Sequence, residues 1–126
     1  MRLNQVTVPA LDLERSVAFY RTLGLTLIVK NDHYARFELP DGDATLSLEL
    51  TEDVQGAANG PHVYCECDDL DARVAALRAQ GIVFDSDPAD QRWLWREAWL
   101  TDPAGVKLCL YYAGDNRRNP PWRLRD

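Results

Sequence analysis

The chain has 126 residues, of which 46% are hydrophobic, and 20 acidic against 14 basic residues give it a net charge of -6. This length fits one domain, and the acidic balance argues against nucleic acid or an anionic membrane as the main partner. No run of about 18 apolar residues and no apolar leader is present, and the three cysteines lack a disulfide or zinc-ribbon spacing. We therefore expect a cytoplasmic protein that does not bind a membrane.

One segment of the chain occurs twice. Residues 12–24 return as residues 69–81, with Asp, Leu, Val, Ala, Arg and Gly in matching places. Each copy begins with an aspartate suited to cap a helix, carries apolar residues at helical spacing and ends at a glycine. The repeat predicts a single domain of two similar modules, at about 1–57 and 60–112, followed by a tail at 113–126.

The rest of each module alternates like a β-strand. In residues 45–50 the leucines take one face and Thr45, Ser47 and Glu49 take the other, and residues 5–8, 62–67 and 106–111 alternate in the same way. Extended segments near 25–30, 34–39, 82–84 and 94–100 complete each module as strand, helix, strand, strand, strand. The predicted fold is α+β: two tandem βαβββ modules forming a curled, cup-shaped mixed sheet with the helices on its outer face.

The polar faces of these strands would line the cup, because their apolar faces must pack against the helices. The residues expected to line it are Gln5, Thr7, Ser47, Glu49, His62, Tyr64, Cys109 and Tyr111.

A tryptophan-rich segment at 93–100 adds aromatic side chains to this surface. If Ala98 and Leu100 face the helices, Trp95, Glu97 and Trp99 face the cup. Aromatic walls with a few polar groups suit a small organic ligand, and Glu97 is a candidate general base. Tryptophans are also enriched at dimer interfaces, so this second use stays open.

We predict substrate contacts from side chains of both modules. These residues are Thr7, Tyr64, Trp95, Trp99 and Tyr111, with Tyr34 and Arg36 adding contacts.

The tail is basic and contains a rigid Pro120-Pro121 pair before Trp122. It is either a solvated chain end or a segment that packs over a partner subunit or the pocket.

Three motifs together resemble the vicinal oxygen chelate superfamily, which includes glyoxalase I, extradiol dioxygenases, and fosfomycin- and bleomycin-resistance proteins. They are the opening residues 3–8, residues 12–20 followed by 23–25, and the Asp102-Pro103-Ala104-Gly105 turn before the last strand. The resemblance covers residues 1 to about 112. It implies the two-module fold, a small-molecule ligand and a homodimer.

The resemblance also implies four positions for metal ligands. They map to Gln5, Glu49, His62 and Cys109, where the family usually has a carboxylate at the fourth position. One divalent ion of the zinc, nickel or manganese class would then be held by Gln5, Glu49 and His62, with Glu49 also a catalytic residue. A coordinating Cys109 thiolate would instead complete a closed, structural zinc shell. An extradiol dioxygenase needs two histidines and one carboxylate on its iron, and Gln5 and Cys109 stand where that site has His and Glu, which disfavours a dioxygenase.

Three functions follow from these observations. The first is a metal-dependent lyase or isomerase of glyoxalase type acting on a substrate with vicinal oxygens. The second is a metal-free binding or antibiotic-resistance-type protein that sequesters a small molecule. The third, an interaction module without a small ligand, is least favoured because it leaves the inward polar residues unexplained.

Overall fold

A computed structural model describes residues 1–125 of the chain, so that Asp126 of the predicted tail lies outside the described residues. The chain forms two compact units, which we describe separately. Unit 1 comprises residues 1–61 and 101–107, and unit 2 comprises residues 62–100 and those from 108 onward. Among the described residues, no helix is long and apolar enough to cross a membrane.

Unit 1 contains a four-stranded mixed sheet in the order β1-β4-β3-β2. Strands β1 and β4 are parallel, whereas β3 is antiparallel to both β4 and β2. Its elements are β1 (Gln5–Ala10), α1 (Leu13–Leu23), β2 (Thr26–Lys30), β3 (Tyr34–Glu38), β4 (Thr45–Leu50) and α2 (Val54–Ala58).

Helix α1 begins and ends as its sequence predicts. The Asp12 carboxylate accepts a hydrogen bond from the Arg15 amide at its start, and Gly24 takes the left-handed conformation, with φ of 111°, at its end. Its apolar stripe buries Val17 and Tyr20, and the Tyr20 ring lies 5.9 Å from Phe37 of β3. The core of unit 1 therefore lies between α1 and one face of the sheet.

The 102–105 turn is anchored in unit 1 by the buried Asp102 carboxylate. Asp102 accepts hydrogen bonds from the backbone amides of Ala104 and Val106, both at 2.9 Å, and from the Tyr20 hydroxyl at 2.7 Å. A buried carboxylate needs such donors, because leaving it unpaired costs several kcal/mol. This motif from the end of the sequence is thereby joined to the first helix.

Unit 2 repeats the arrangement with one α-helix, four strands and a short 3-10 helix among its described residues. Its four-stranded sheet has the order β5-β8-β7-β6, with β5 parallel to β8 and β6 antiparallel to β7. Its elements are β5 (Val63–Glu66), α3 (Leu70–Ala79), β6 (Ala89–Asp90), β7 (Arg96–Thr101), β8 (Lys107–Tyr112) and a short 3-10 helix (Gly114–Arg117).

The α+β class and the two tandem modules are confirmed, with one open four-stranded sheet in each module. Three local expectations differ. Residues 82–84 form only an isolated bridge between Phe84 and Leu100, and the short strand of this region lies at β6. Asp69 stands at the start of α3 without a side-chain capping bond. Helix α2 lies in a segment where no helix was predicted, and the Asp53 carboxylate caps it through the amides of Gln55 and Gly56.

Candidate functional site

Three strands of unit 2 bring aromatic side chains to one face of the sheet. In the parallel β5-β8 pair, Tyr64 lies opposite Cys109 and Glu66 opposite Tyr111. Strand β7 lies beside β8, and its alternation turns Trp99 to the same face as Tyr64 while the buried Ala98 and Leu100 point away. This alternation agrees with the orientation predicted for the tryptophan-rich segment.

The side chains of this surface, which we call the aromatic face, pack ring against ring. Trp95 stacks on Tyr111 with centroids 4.5 Å apart and planes 14° apart. Tyr64 stands edge-on to Trp95, Trp99 and Tyr111 at 5.6–5.9 Å. His62 meets Trp99 edge-on at 5.3 Å. The members of the aromatic face are His62, Tyr64, Trp95, Trp99 and Tyr111.

Glu97 fixes the orientation of two indole rings. Its side chain is buried, and one carboxylate oxygen accepts from Trp93 Nε1 at 2.7 Å while the other accepts from Trp99 Nε1 at 3.0 Å. Both oxygens are thus occupied by charge-assisted hydrogen bonds. Glu97 therefore orients the two tryptophans, and its role as a general base stays a prediction.

A tight turn sets the spacing of Trp93 and Trp95. The Gln91 amide donates to the Trp95 carbonyl and the Leu94 amide donates to the Gln91 carbonyl. Leu94 has a φ of 68°, in the left-handed region that is unfavourable for a side chain of its size. The surrounding turn therefore holds some backbone strain directly beside the aromatic face.

Cys109 lies beneath the aromatic face and is fully buried. It packs with Tyr111, Ala113, Trp95 and Trp99 in one apolar cluster. Burial, followed by the nearby charge of Glu97, raises the pKa of its thiol to about 12. At neutral pH, with no metal bound, Cys109 is consequently a protonated, apolar group.

In unit 1, the register of β1 and β4 separates two of the predicted ligands. Gln5 lies opposite Thr45, and Glu49 lies opposite Pro9, four positions farther along the strands. Four residues of strand span about 13 Å. The Gln5 amide oxygen also accepts a hydrogen bond from Thr45 Oγ1 at 2.8 Å.

Glu49 instead borders a cleft at the end of β1 and β4. The cleft has a volume of about 350 Å³ and is lined by side chains that include Thr7, Glu49, Thr51 and Asp53. Two of the residues predicted for the site, Thr7 and Glu49, therefore share this cleft in unit 1.

The fit of a metal can be assessed from the donors of each unit. Gln5 and Glu49 belong to unit 1, whereas His62 and Cys109 belong to unit 2. Within residues 1–125, no three His, Cys, Asp or Glu side chains are grouped so that they could hold a metal ion. Each unit alone carries only two of the four predicted donors, so a metal site built from Gln5, Glu49 and His62 stays a prediction.

Two features of these surfaces were missed by sequence reasoning. One is the bond from Trp93 to Glu97, whose only signal was the spacing of four residues across a turn. The other is a hydrogen-bonded cluster of Tyr34, Arg36 and Ser47 in unit 1. Cross-strand partners of this kind depend on register, which a single sequence does not reveal.

Comparison with known proteins gives relatives of the same fold. The chain is 27% identical to a glyoxalase/bleomycin resistance protein/dioxygenase from Nocardioides, with a TM-score of 0.76 over 99% of this chain and 90% of that chain. A bleomycin-binding protein in complex with bleomycin is 23% identical, with a TM-score of 0.73 over 89% of this chain and 98% of that chain. Lactoylglutathione lyase from Agrobacterium tumefaciens is 19% identical, with a TM-score of 0.70 over 98% of this chain and 97% of that chain.

The last two likenesses show a shared fold. No curated protein matches the chain in sequence. The family model of the Glyoxalase/Bleomycin resistance protein/Dioxygenase superfamily matches residues 2–110, nearly the whole chain. The chain therefore belongs to the glyoxalase/bleomycin resistance protein/dioxygenase superfamily.

Proposed function

We propose that this protein binds a small organic molecule with a flat, apolar part against the aromatic face, and that it does so without a metal ion. The observation that carries the proposal is the packing of Tyr64, Trp95, Trp99 and Tyr111 on one side of the unit 2 sheet. Tyr64 keeps 47% of its surface exposed at the centre of this group. Because Tyr64 contacts Trp95, Trp99 and Tyr111, its exposed part offers an aromatic surface against which a flat ligand can pack.

Preorganisation supports binding on this face. The two bonds to Glu97 hold Trp93 and Trp99, and the stack with Tyr111 holds Trp95. Side chains that are already ordered lose little conformational entropy when a ligand arrives. Aromatic pairs contribute about 0.5–1.5 kcal/mol beyond the area that they bury.

The donor chemistry favours the metal-free form of the proposal. Four register positions, about 13 Å of strand, separate Gln5 from Glu49, and the Gln5 amide oxygen already accepts a hydrogen bond from Thr45 Oγ1. The rival proposal is a metal-dependent lyase or isomerase that uses Gln5, Glu49 and His62. The similarity in fold to lactoylglutathione lyase from Agrobacterium tumefaciens supports this rival. The similarity to the bleomycin-binding protein supports the binding proposal.

A binding screen with metal analysis separates the two proposals. Tag-free protein is analysed for divalent metals and then titrated with a panel of planar aromatic compounds while tryptophan fluorescence is recorded, with and without a chelator. We expect quenching that saturates, that survives the chelator and that is lost in Trp95→Ala.

The matched control is Trp122→Ala, since Trp122 lies outside the aromatic face and is 57% exposed. This variant should bind like the parent. Near-stoichiometric metal in the parent that disappears in Glu49→Ala would overturn the metal-free proposal and favour the lyase or isomerase.

We also propose that two copies of the chain form a homodimer, as the family resemblance implies. The exposed apolar side chain of Leu124 in the tail is available for such a contact. Sedimentation equilibrium should give twice the chain mass of 14.3 kDa. A mass of one chain at micromolar concentration would refute the homodimer.

A further inference from the structure

A group of polar side chains lies on the sheet of unit 1 and shares no residue with the aromatic face of unit 2. Arg36 Nε donates a hydrogen bond to the Tyr34 hydroxyl at 2.9 Å, and this hydroxyl shares a hydrogen bond of 2.5 Å with Ser47 Oγ. Arg36 lies opposite Ser47 in the β3-β4 pairing, and Thr7 lies opposite Ser47 on the other side, in β1. We call Tyr34, Arg36 and Ser47 the arginine cluster.

The arginine cluster is held in place from its buried end. Ser47 is fully buried, Tyr34 is half-buried, and the Arg36 guanidinium carbon lies 5.4 Å from the centre of the Tyr34 ring. The bond to Ser47, together with Arg36, lowers the pKa of the Tyr34 hydroxyl. The guanidinium is therefore fixed both by a hydrogen bond and by contact with a ring.

The positive charge of Arg36 has no ion-pair partner in the described part of the chain. Arg36 is half-buried, yet within residues 1–125 no carboxylate lies within 4.0 Å of it. The same residues offer no hydrogen-bond acceptor to its two terminal nitrogens, Nη1 and Nη2. Partly buried charges are normally paired, and arginine has five N–H donors to satisfy.

The neighbouring charges restrict which anion could be bound. Glu38 and Glu49 lie on the same face of the sheet as Arg36. These two carboxylates would repel a dianion more strongly than a monoanion. A carboxylate also matches the planar fork of a guanidinium.

We propose that Arg36 recognises a ligand carboxylate through its two terminal nitrogens, and that Tyr34 and Ser47 are positioning residues for Arg36. The Thr7 hydroxyl lies on the same face and adds a further polar group. This inference is independent of the proposed function, since it concerns other residues in the other unit.

The test uses a probe without an aromatic ring, so that binding to the aromatic face is not measured. Cyclohexanecarboxylate, the neutral amide cyclohexanecarboxamide and inorganic phosphate are titrated separately into labelled protein. The NMR signal of the Arg36 Nε–H group is followed. We expect a saturable shift with the carboxylate and binding of the amide that is at least about tenfold weaker.

Variants separate recognition from structure. Arg36→Met should abolish carboxylate binding, and Arg36→Lys, which keeps the charge but not the fork, should weaken it about tenfold. Tyr34→Phe should weaken it several-fold while the Arg36 signal broadens. Arg15→Met, which removes an exposed arginine of α1, should bind like the parent. The amide spectrum of each variant reports whether it is folded.

Three results would overturn the inference. The first is the lack of a saturable shift with the carboxylate in the folded parent. The second is a lack of selectivity for the carboxylate or for the guanidinium, seen as equal binding of the carboxylate and the amide or as full binding by folded Arg36→Lys. The third is tighter binding of phosphate than of the carboxylate, which would assign a different anion to Arg36.

Discussion

Two buried serines of unit 1 differ in their hydrogen bonding. Ser16 and Ser47 are both fully buried, but among residues 1–125 Ser16 Oγ has no hydrogen-bond partner, whereas Ser47 Oγ bonds to Tyr34. Burying an unpaired hydroxyl costs about 1–3 kcal/mol, so its removal can relieve that cost.

We expect Ser16→Ala to leave the free energy of unfolding unchanged or to raise it by about 1 kcal/mol. Ser47→Ala should lower it by a similar amount, because the Tyr34 hydroxyl loses its partner. Urea denaturation of the two variants and the parent measures both changes. The reasoning fails if Ser16→Ala is the more destabilising of the two.

The buried thiols predict a loss of stability in alkaline solution. Burial raises the pKa of Cys109 to about 12 and that of Cys65 to about 11, from an ordinary value of 9.0. Since the folded protein holds these protons more tightly, their contribution is fully present below pH 9 and is lost as the pH rises towards 12.

Cys109→Ala should therefore flatten the decline in stability between pH 9 and pH 12, measured by urea denaturation at each pH. The same pKa values predict slow reaction of Cys65 and Cys109 with a thiol reagent at pH 8 in the native protein and rapid reaction after unfolding. Fast labelling of Cys109 in the native protein would contradict its assignment as a buried, protonated group.

At the scale of elements, strand β7 depends on Glu97 to order its tryptophans. In Glu97→Gln an NH2 group replaces one oxygen, so that one of the two indole N–H groups loses its acceptor. We expect a loss of about 1–3 kcal/mol in the free energy of unfolding, a shift of tryptophan emission and a lower pKa for Cys109.

Glu38→Gln is the control for this change, since Glu38 is exposed at the end of β3 and has no side-chain hydrogen bond in the described part of the chain. It should leave all three quantities unchanged. Equal behaviour of the two variants would show that Glu97 does not clamp the indoles.

The bond between Tyr20 and Asp102 joins helix α1 to the turn between β7 and β8. Tyr20→Phe keeps the ring contacts and removes one of the three donors to a buried carboxylate. We expect it to lower the free energy of unfolding by about 1.5–3 kcal/mol, as for other hydrogen bonds to charged groups. Thermal unfolding of each variant and the parent measures this loss, and Tyr112→Phe, at an exposed tyrosine, should lower the free energy of unfolding much less. Similar losses in the two variants would show that the bond does not anchor the turn.

At the scale of the whole molecule, the sequence predicted which face of a sheet a side chain lies on, but not which residues of neighbouring strands lie opposite each other. The period of two placed Gln5, Thr7, Ser47 and Glu49 on one face and Trp95, Glu97 and Trp99 on another. It could not predict that Gln5 and Glu49 lie four positions apart, because an offset of an even number of residues leaves every side chain on its own face.

Helix α2 was not predicted because it is short. It has five residues, too few to show a helical period, and the Asp53 cap and the buried Ala57 support it. The repeated helices, by contrast, were long enough for their apolar spacing and terminal glycines to identify them. The two-module fold could thus be predicted from local patterns, whereas the candidate sites depend on long-range register.

The most direct test of the account follows the four indole N–H signals of the labelled protein in one NMR titration with a planar ligand from the screen. The signals of Trp95 and Trp99 should shift together and saturate at the same ligand concentration, in the presence of a chelator, while that of Trp122 stays in place. Binding that leaves Trp95 and Trp99 unshifted, or that vanishes when metal is removed, would contradict metal-free recognition on the aromatic face.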